Sequence, residues 1–149
     1  MKTKIAVGLM IFITIMVAIT GCNTTDSPVP KLTIGIALPD GIRWLTDGDA
    51  MKTYAEAKGY NVELVYGSAN STTQTTQTQS EQIQGLLDKG VALLIIAPID
   101  SSGITTVVAE AAAKDVPVIA YDRLITGTGD YESYITFDNY KIGQIQGNA

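Results

Sequence analysis

From Leu32 onward the chain alternates short aliphatic or β-branched runs with longer stretches in which apolar residues return every three or four positions. Leu32 to Leu38, Asn61 to Tyr66, Val91 to Ala97, Val116 to Tyr121 and Ser133 to Phe137 are the strand candidates. Three of them are nearly continuous aliphatic runs, the pattern of parallel strands covered on both faces. Helices are predicted at about Trp44 to Lys58, Thr75 to Lys89 and Ser102 to Lys114. The second gathers Ile83, Leu86 and Leu87 on one face, and the third gathers Ile104, Val107, Val108 and Ala111; each stripe suits packing on a sheet. Lys58-Gly59, Lys89-Gly90 and Lys114-Asp115 close the three helices in the same manner. A cation sits at the negative helix end, followed in two cases by a glycine free to take positive φ. Strict β-α alternation implies right-handed crossovers, hence an α/β fold: a three-layer, doubly wound parallel sheet with helices on both faces.

The segment before Leu32 has a different pattern. Met1 to Lys4 carries two positive charges, and Ile5 to Thr20 is an almost unbroken apolar run without charge, the layout of a secretory signal. The run is marginal for a membrane span, which needs about 20 apolar residues, so an uncleaved anchor is the alternative. Ile19-Thr20-Gly21-Cys22 resembles a bacterial lipobox, which favours cleavage and lipidation at Cys22. Asn23 to Lys31 lacks hydrophobic periodicity and holds two prolines, so it reads as a tether. The expected organisation is a lipoprotein signal over residues 1–21, a tether over 22–31, a folded lobe over 32–138, and the start of a crossover helix over 139–149.

Composition narrows the chemistry. Cys22 is the only cysteine and there is no histidine, so no intrachain disulfide forms and the commonest metal ligand and general base are missing. No catalytic residue and no metal or cofactor site is predicted. A diacylated cysteine would satisfy the two-chain requirement for stable anchoring at the outer face of the cell membrane. Removing residues 1–21 takes away Lys2 and Lys4, two of ten basic residues, and none of the fifteen acids. The remaining body is acidic, which argues against nucleic acid as a partner.

In parallel α/β sheets the ligand crevice lies beyond the carboxyl ends of the strands. The loops there are Pro39-Asp40-Gly41-Ile42-Arg43-Trp44, Pro98-Ile99-Asp100-Ser101-Ser102, Asp122-Arg123 and Asp138-Asn139. Carboxylate, guanidinium and amide groups match hydroxyls that donate and accept, and the flat indole of Trp44 matches an apolar C–H face. Each residue also has a plainer reading. Trp44 packs equally well at the start of its helix, and Asp100 suits an N-cap of the third helix better than a ligand group. Asp138 suits a cap of the last helix, Asp40-Gly41 a turn, and Asp122-Arg123 a surface ion pair of little energetic value.

The strings Ile34-Gly-Ile-Ala-Leu38, Arg43-Trp44, Gln79-Ser-Glu-Gln82-Ile83, Lys89-Gly-Val-Ala-Leu-Leu-Ile-Ile-Ala97, Val118-Ile-Ala-Tyr-Asp-Arg-Leu-Ile125 and Ile135-Thr-Phe-Asp-Asn139 resemble the type I periplasmic sugar-binding family. Within it, the xylose-binding and multiple-monosaccharide-binding branch is the nearest in pattern, because Arg-Trp stands in the first loop. The resemblance runs from about Leu32 to the last residue. It implies a flavodoxin-like strand order 2-1-3-4-5, and sugar contacts from Arg43, Trp44, Asp122 and Arg123. Asp138 and Asn139 fall where the chain crosses towards a second lobe; Asn139 is taken as a ligand group, and Asp138 and Asp100 as hinge or secondary positions.

The implied function is capture of a monosaccharide such as xylose, glucose or galactose by an exported monomer that serves the membrane subunits of an ABC-type importer. A sugar sensor, a chemoreceptor-coupled protein and a non-functional fragment are the alternatives. An α/β enzyme acting on phosphates would need a glycine-rich loop after the first strand, where Pro39-Asp40-Gly41-Ile42 stands instead. A transcriptional regulator with the same core would carry a basic helix-turn-helix in place of the apolar leader. Because family members have two lobes, this chain reads as the N-terminal lobe alone, and weak sugar binding is expected of it.

Overall fold

The computed structural model describes residues 30–67 and 76–148. The leader, Cys22, the tether up to residue 29 and the polar run up to Thr75 lie outside the described residues. The elements follow the order β1 (Thr33–Leu38), α1 (Ile42–Ala57), β2 (Asn61–Tyr66), α2 (Thr76–Asp88), β3 (Leu93–Ile96), α3 (Thr105–Ala113), β4 (Val118–Tyr121), β5 (Ser133–Ile135) and α4 (Asn139–Gly147). The strands make one five-stranded sheet in the order β2-β1-β3-β4-β5, with every pairing parallel. Fold class and strand order are as the sequence implied.

Local chemistry trims the expected elements. The third helix starts at Thr105 and not at Ser102, and its N-cap is Ile104 without a side-chain bond. Asp100 is therefore not the helix cap. Its Oδ1 accepts from the backbone N and the Oγ of Ser102, at 2.9 and 3.0 Å, closing a turn before the helix, where Ser and Gly favour turns over helix. The fourth strand begins at Val118 because the Val116 N–H closes α3 by bonding to Ala111 O and Pro117 has no N–H to give. At the helix ends, Gly59 and Gly90 take φ of 93° and 74°, and Asp115 takes the same region at 55° where no glycine is available.

The sheet is covered on both faces. On one, α2 and α3 bring Ile83, Leu86, Leu87, Val107, Val108 and Ala111 against Ala37, Leu94, Ile96, Val118 and Ala120. On the other, α1 brings Trp44 onto Ile36, Leu38 and Ala97, with Met51, Tyr66 and Tyr121 packed alongside. Helix α1 lies close to the sheet at Gly48, where an added Cβ would collide with the hydroxyl of Tyr66 and come within 3.1 Å of Leu38. Helix α4 has no buried residue, and Ile142 and Ile145 are 40% and 62% exposed.

Candidate functional site

The carboxyl ends of β1, β3, β4 and β5 point their loops to one edge of the sheet. Gly41, at φ 130°, opens α1 without a side-chain cap, and the first turn of the helix then presents Arg43 and Trp44. Arg43 Nη2 donates to Asp122 Oδ1 at 2.6 Å, and its Nε lies 3.6 Å from Asp47 Oδ2, one helical turn on. Asp47 Oδ2 also accepts from the Tyr121 hydroxyl at 3.1 Å. The guanidinium of Arg43 lies 4.6 Å from the centroid of Trp44 and 5.4 Å from that of Phe137, within cation–π range. Trp44 is 8% exposed and meets Tyr121 edge to face, with centroids 6.4 Å apart.

Asp122 and Arg123 leave β4 through a tight reversal. Asp122 has φ 62°, and the Arg123 N–H bonds back to Tyr121 O at 2.7 Å, a three-residue turn that is uncommon and strained for a residue with a Cβ. The turn is held from several sides. Asp122 N donates to Ile135 O, and Asp122 O accepts from the hydroxyls of Tyr134 and Thr136, at 3.1 and 2.9 Å. Ile125, 1% exposed, anchors the chain that follows. Arg123 Nη1 donates to Pro98 O and Ile99 O, at 3.1 and 3.2 Å, and its guanidinium lies 5.8 Å from the Trp44 centroid.

Of the residues singled out in the sequence, Arg43, Trp44, Asp122 and Arg123 thus meet at one place. Asp122 does not form an ion pair with Arg123; its partner is Arg43, 79 residues away. Asp138 is a helix cap, its Oδ1 accepting from Lys141 N at 3.0 Å. Asn139 is the exposed first residue of α4. Asp100 is turned to Ser102, although the neighbouring Ile99 carbonyl is a partner of Arg123. Three further residues belong to the cluster. Asp47 was visible as the i+4 partner of Arg43, Tyr121 and Phe137 only as neighbours of the charged pairs.

The electrostatics favour a charged Arg43 and a donating Tyr121. The hydrogen bond to Asp122 raises Arg43 above its ordinary value despite the opposing effect of burial. Burial, and then the bond to Asp47, push the Tyr121 hydroxyl up, so it stays protonated and a donor at neutral pH. Among the described residues no group of three or more His, Cys, Asp or Glu is placed to hold a metal ion. Clefts of about 390 and 520 Å³ lie at the opposite end of the strands, against Pro117 and Glu132 and against Thr33 and Asn61, and include none of the cluster. The cluster presents two guanidinium groups, two carboxylates, a phenol and aromatic edges, chemistry suited to binding a neutral, hydroxyl-rich molecule.

The chain is 38% identical over 135 residues to the multiple sugar-binding periplasmic protein SbpA of Azospirillum brasilense, covering 89% of this chain and 36% of that protein. It is 35% identical to the D-xylose-binding periplasmic protein of Escherichia coli over 121 residues, 80% of this chain and 35% of that one. Its fold superposes with a TM-score of 0.72 on an ABC transporter solute-binding protein from Clostridium phytofermentans solved with bound β-D-glucose. That protein is 41% identical, and the match covers 78% of this chain and 35% of the other. The chain thus spans about a third of the length of these three relatives, each of which is named as a binding protein. Residues 34–149 match the periplasmic binding protein domain, and the chain belongs to that family of sugar-binding periplasmic proteins.

Proposed function

We propose that this chain captures a monosaccharide at the edge formed by Arg43, Trp44, Asp122 and Arg123, and delivers it to the membrane subunits of an ABC-type importer. The observation that carries the reading is the 2.6 Å Arg43–Asp122 pair, which joins the first and fourth strand loops beside aromatic surface. Arg43 and Asp122 share one hydrogen bond and keep further donors and acceptors, so hydroxyls can be received on both sides of the pair. The small part of Trp44 left uncovered, 8% of the residue, and Phe137, 51% exposed, supply apolar contact for C–H faces. Asn139 borders the same edge at the start of α4 and is assigned to the ligand, with Asp138 as the hinge-side cap.

The described residues provide one face. In a two-lobed clamp a second face would cover the sugar and exclude water, so this lobe alone should bind weakly, at about millimolar strength or −4 kcal/mol. Export and anchoring through a lipid on Cys22 complete the reading, supported by the lipobox-like Ile19-Thr20-Gly21-Cys22. Titration with xylose, glucose, galactose and arabinose, followed by NMR so that millimolar binding is read, tests the sugar assignment. Binding is expected to move the Trp44 indole signal and to weaken in Asp122→Asn; no response to any monosaccharide would overturn the assignment. Intact mass of membrane-extracted protein tests the anchor, and a chain still starting at an unmodified Met1 would refute it.

A further inference from the structure

Gln79 is the one fully buried polar side chain among the described residues, at 0% exposure. It projects from α2, a helix that contributes no residue to the sugar edge. Its Nε2 donates to Ala97 O at 2.9 Å and its Oε1 accepts from Ile99 N at 2.8 Å. One planar amide therefore holds both residues that flank Pro98, which has no N–H of its own with which to anchor the loop. Both ends of the amide are engaged by the loop, and leaving either loop group unpaired is unfavourable.

The same loop carries the two carbonyls, Pro98 O and Ile99 O, that receive Nη1 of Arg123. Their direction fixes where the guanidinium sits, and with it the 5.8 Å approach to Trp44. We propose that Gln79 is the positioning residue for Arg123, acting from inside the core through the Ala97–Ile99 loop and touching no ligand. The functional meaning of this link rests on the sugar reading above, whereas the link itself is a property of the unliganded chain. A neutral amide serves here because a buried carboxylate would lose the donor that Ala97 O requires and would need its charge compensated.

The test is sugar-free first. In the 149-residue chain, Gln79→Met keeps the volume and removes both bonds, and the ¹⁵N signal of the Arg123 Nε–H reports the guanidinium. A shift or broadening of that signal in a folded variant is expected; an unmoved signal overturns the proposal. Arg123→Ala is the reverse experiment, made at an exposed side chain so that it decides the matter even where Gln79→Met does not fold. It should displace the Gln79 side-chain amide signals and the Ile99 amide, and unchanged signals overturn the proposal equally. Titration with glucose then separates the two readings. Weakening by Gln79→Met and by Arg123→Ala should be non-additive, with coupling of about threefold or more, as for groups in one hydrogen-bond network. Additive losses overturn the positioning role at the sugar edge. Coupled NMR signals in a chain that binds no monosaccharide uphold the link and sink the sugar reading alone.

Discussion

On the α2/α3 side the sheet meets an aliphatic layer of Ile83, Leu86, Leu87, Val107 and Val108, whereas on the α1 side it meets Trp44, Tyr66 and Tyr121, with Asp47 bonded to the tyrosine hydroxyl. The first face excludes water and places one buried amide, that of Gln79, under a loop. The second face grades from core into the polar edge, since Trp44 and Tyr121 pack below while Arg43, Asp47 and Asp122 pair above them. Both faces bury aliphatic core, but on the reading proposed above the ligand chemistry falls to the α1 side alone. The two should respond separately to substitution.

The largest effect is expected from Leu94→Ala, on the aliphatic side. Leu94 is fully buried, and the lost contacts and residual cavity should lower unfolding free energy by about 3 kcal/mol, read by urea denaturation, with sugar response per folded molecule unchanged. Asp122→Asn should do the opposite: it keeps the side chain's shape, removes the charge that Arg43 pairs with, and should weaken sugar binding by about 2 kcal/mol. Its unfolding midpoint should move much less than that of Leu94→Ala, and equal destabilisation by the two variants would erase the division between the faces.

Tyr121→Phe lies on the boundary. Removing a partly buried hydroxyl bonded to Asp47 should cost about 1 kcal/mol in stability and loosen Arg43, so a small loss of binding should accompany it. A stability change without any effect on the Arg43 side-chain signals would place Tyr121 wholly with the core. The smallest effect concerns Asp100, whose carboxyl is held below its ordinary value of 3.8, first by the backbone N–H of Ser102 and then by its hydroxyl. A depressed carboxyl contributes stability that is present above its ordinary value and lost as pH falls through the lower folded value. Asp100→Asn should therefore melt slightly lower than the parent near neutrality, and the difference should vanish in acid, below 3.8; a difference independent of pH would contradict this.

Much of this arrangement was legible in the residue pattern. Continuous runs such as Leu93–Ile96 and Val118–Tyr121 announce buried parallel strands, and Gly59 and Gly90 announce helix ends, because those signals are local. The start of α3 was misplaced because Asp100 and Ser102 bond to each other, a competition between turn and cap that spacing alone does not decide. The pairing of Asp122 with Arg43 in place of its neighbour Arg123 depends on β4 reversing at Asp122. Gln79 falls one turn before Ile83 on the apolar stripe of α2, so its position is legible, but its polar side chain argues against burial until the packing of α2 against the β3 loop shows its two partners. The burial of Trp44 to 8% exposure follows from the way α1 leans on the sheet, which no stretch of sequence encodes by itself.

The left-handed backbone at Asp122 has a consequence for which residues could ever replace it. At φ 62° a side chain with an ordinary Cβ is disfavoured by roughly 1–2 kcal/mol, a penalty that Asn and Asp relieve and Gly escapes. Asn would keep the bend and lose the charge; Gly would keep the bend and lose the reach. Glu, the residue of like charge, would keep the charge and strain the bend. The position therefore has almost no conservative neighbour. Arg43 sits in regular helix and carries no such restriction, so if the edge binds ligand as proposed, Arg43 is the freer of the two partners to change and Asp122 the fixed one.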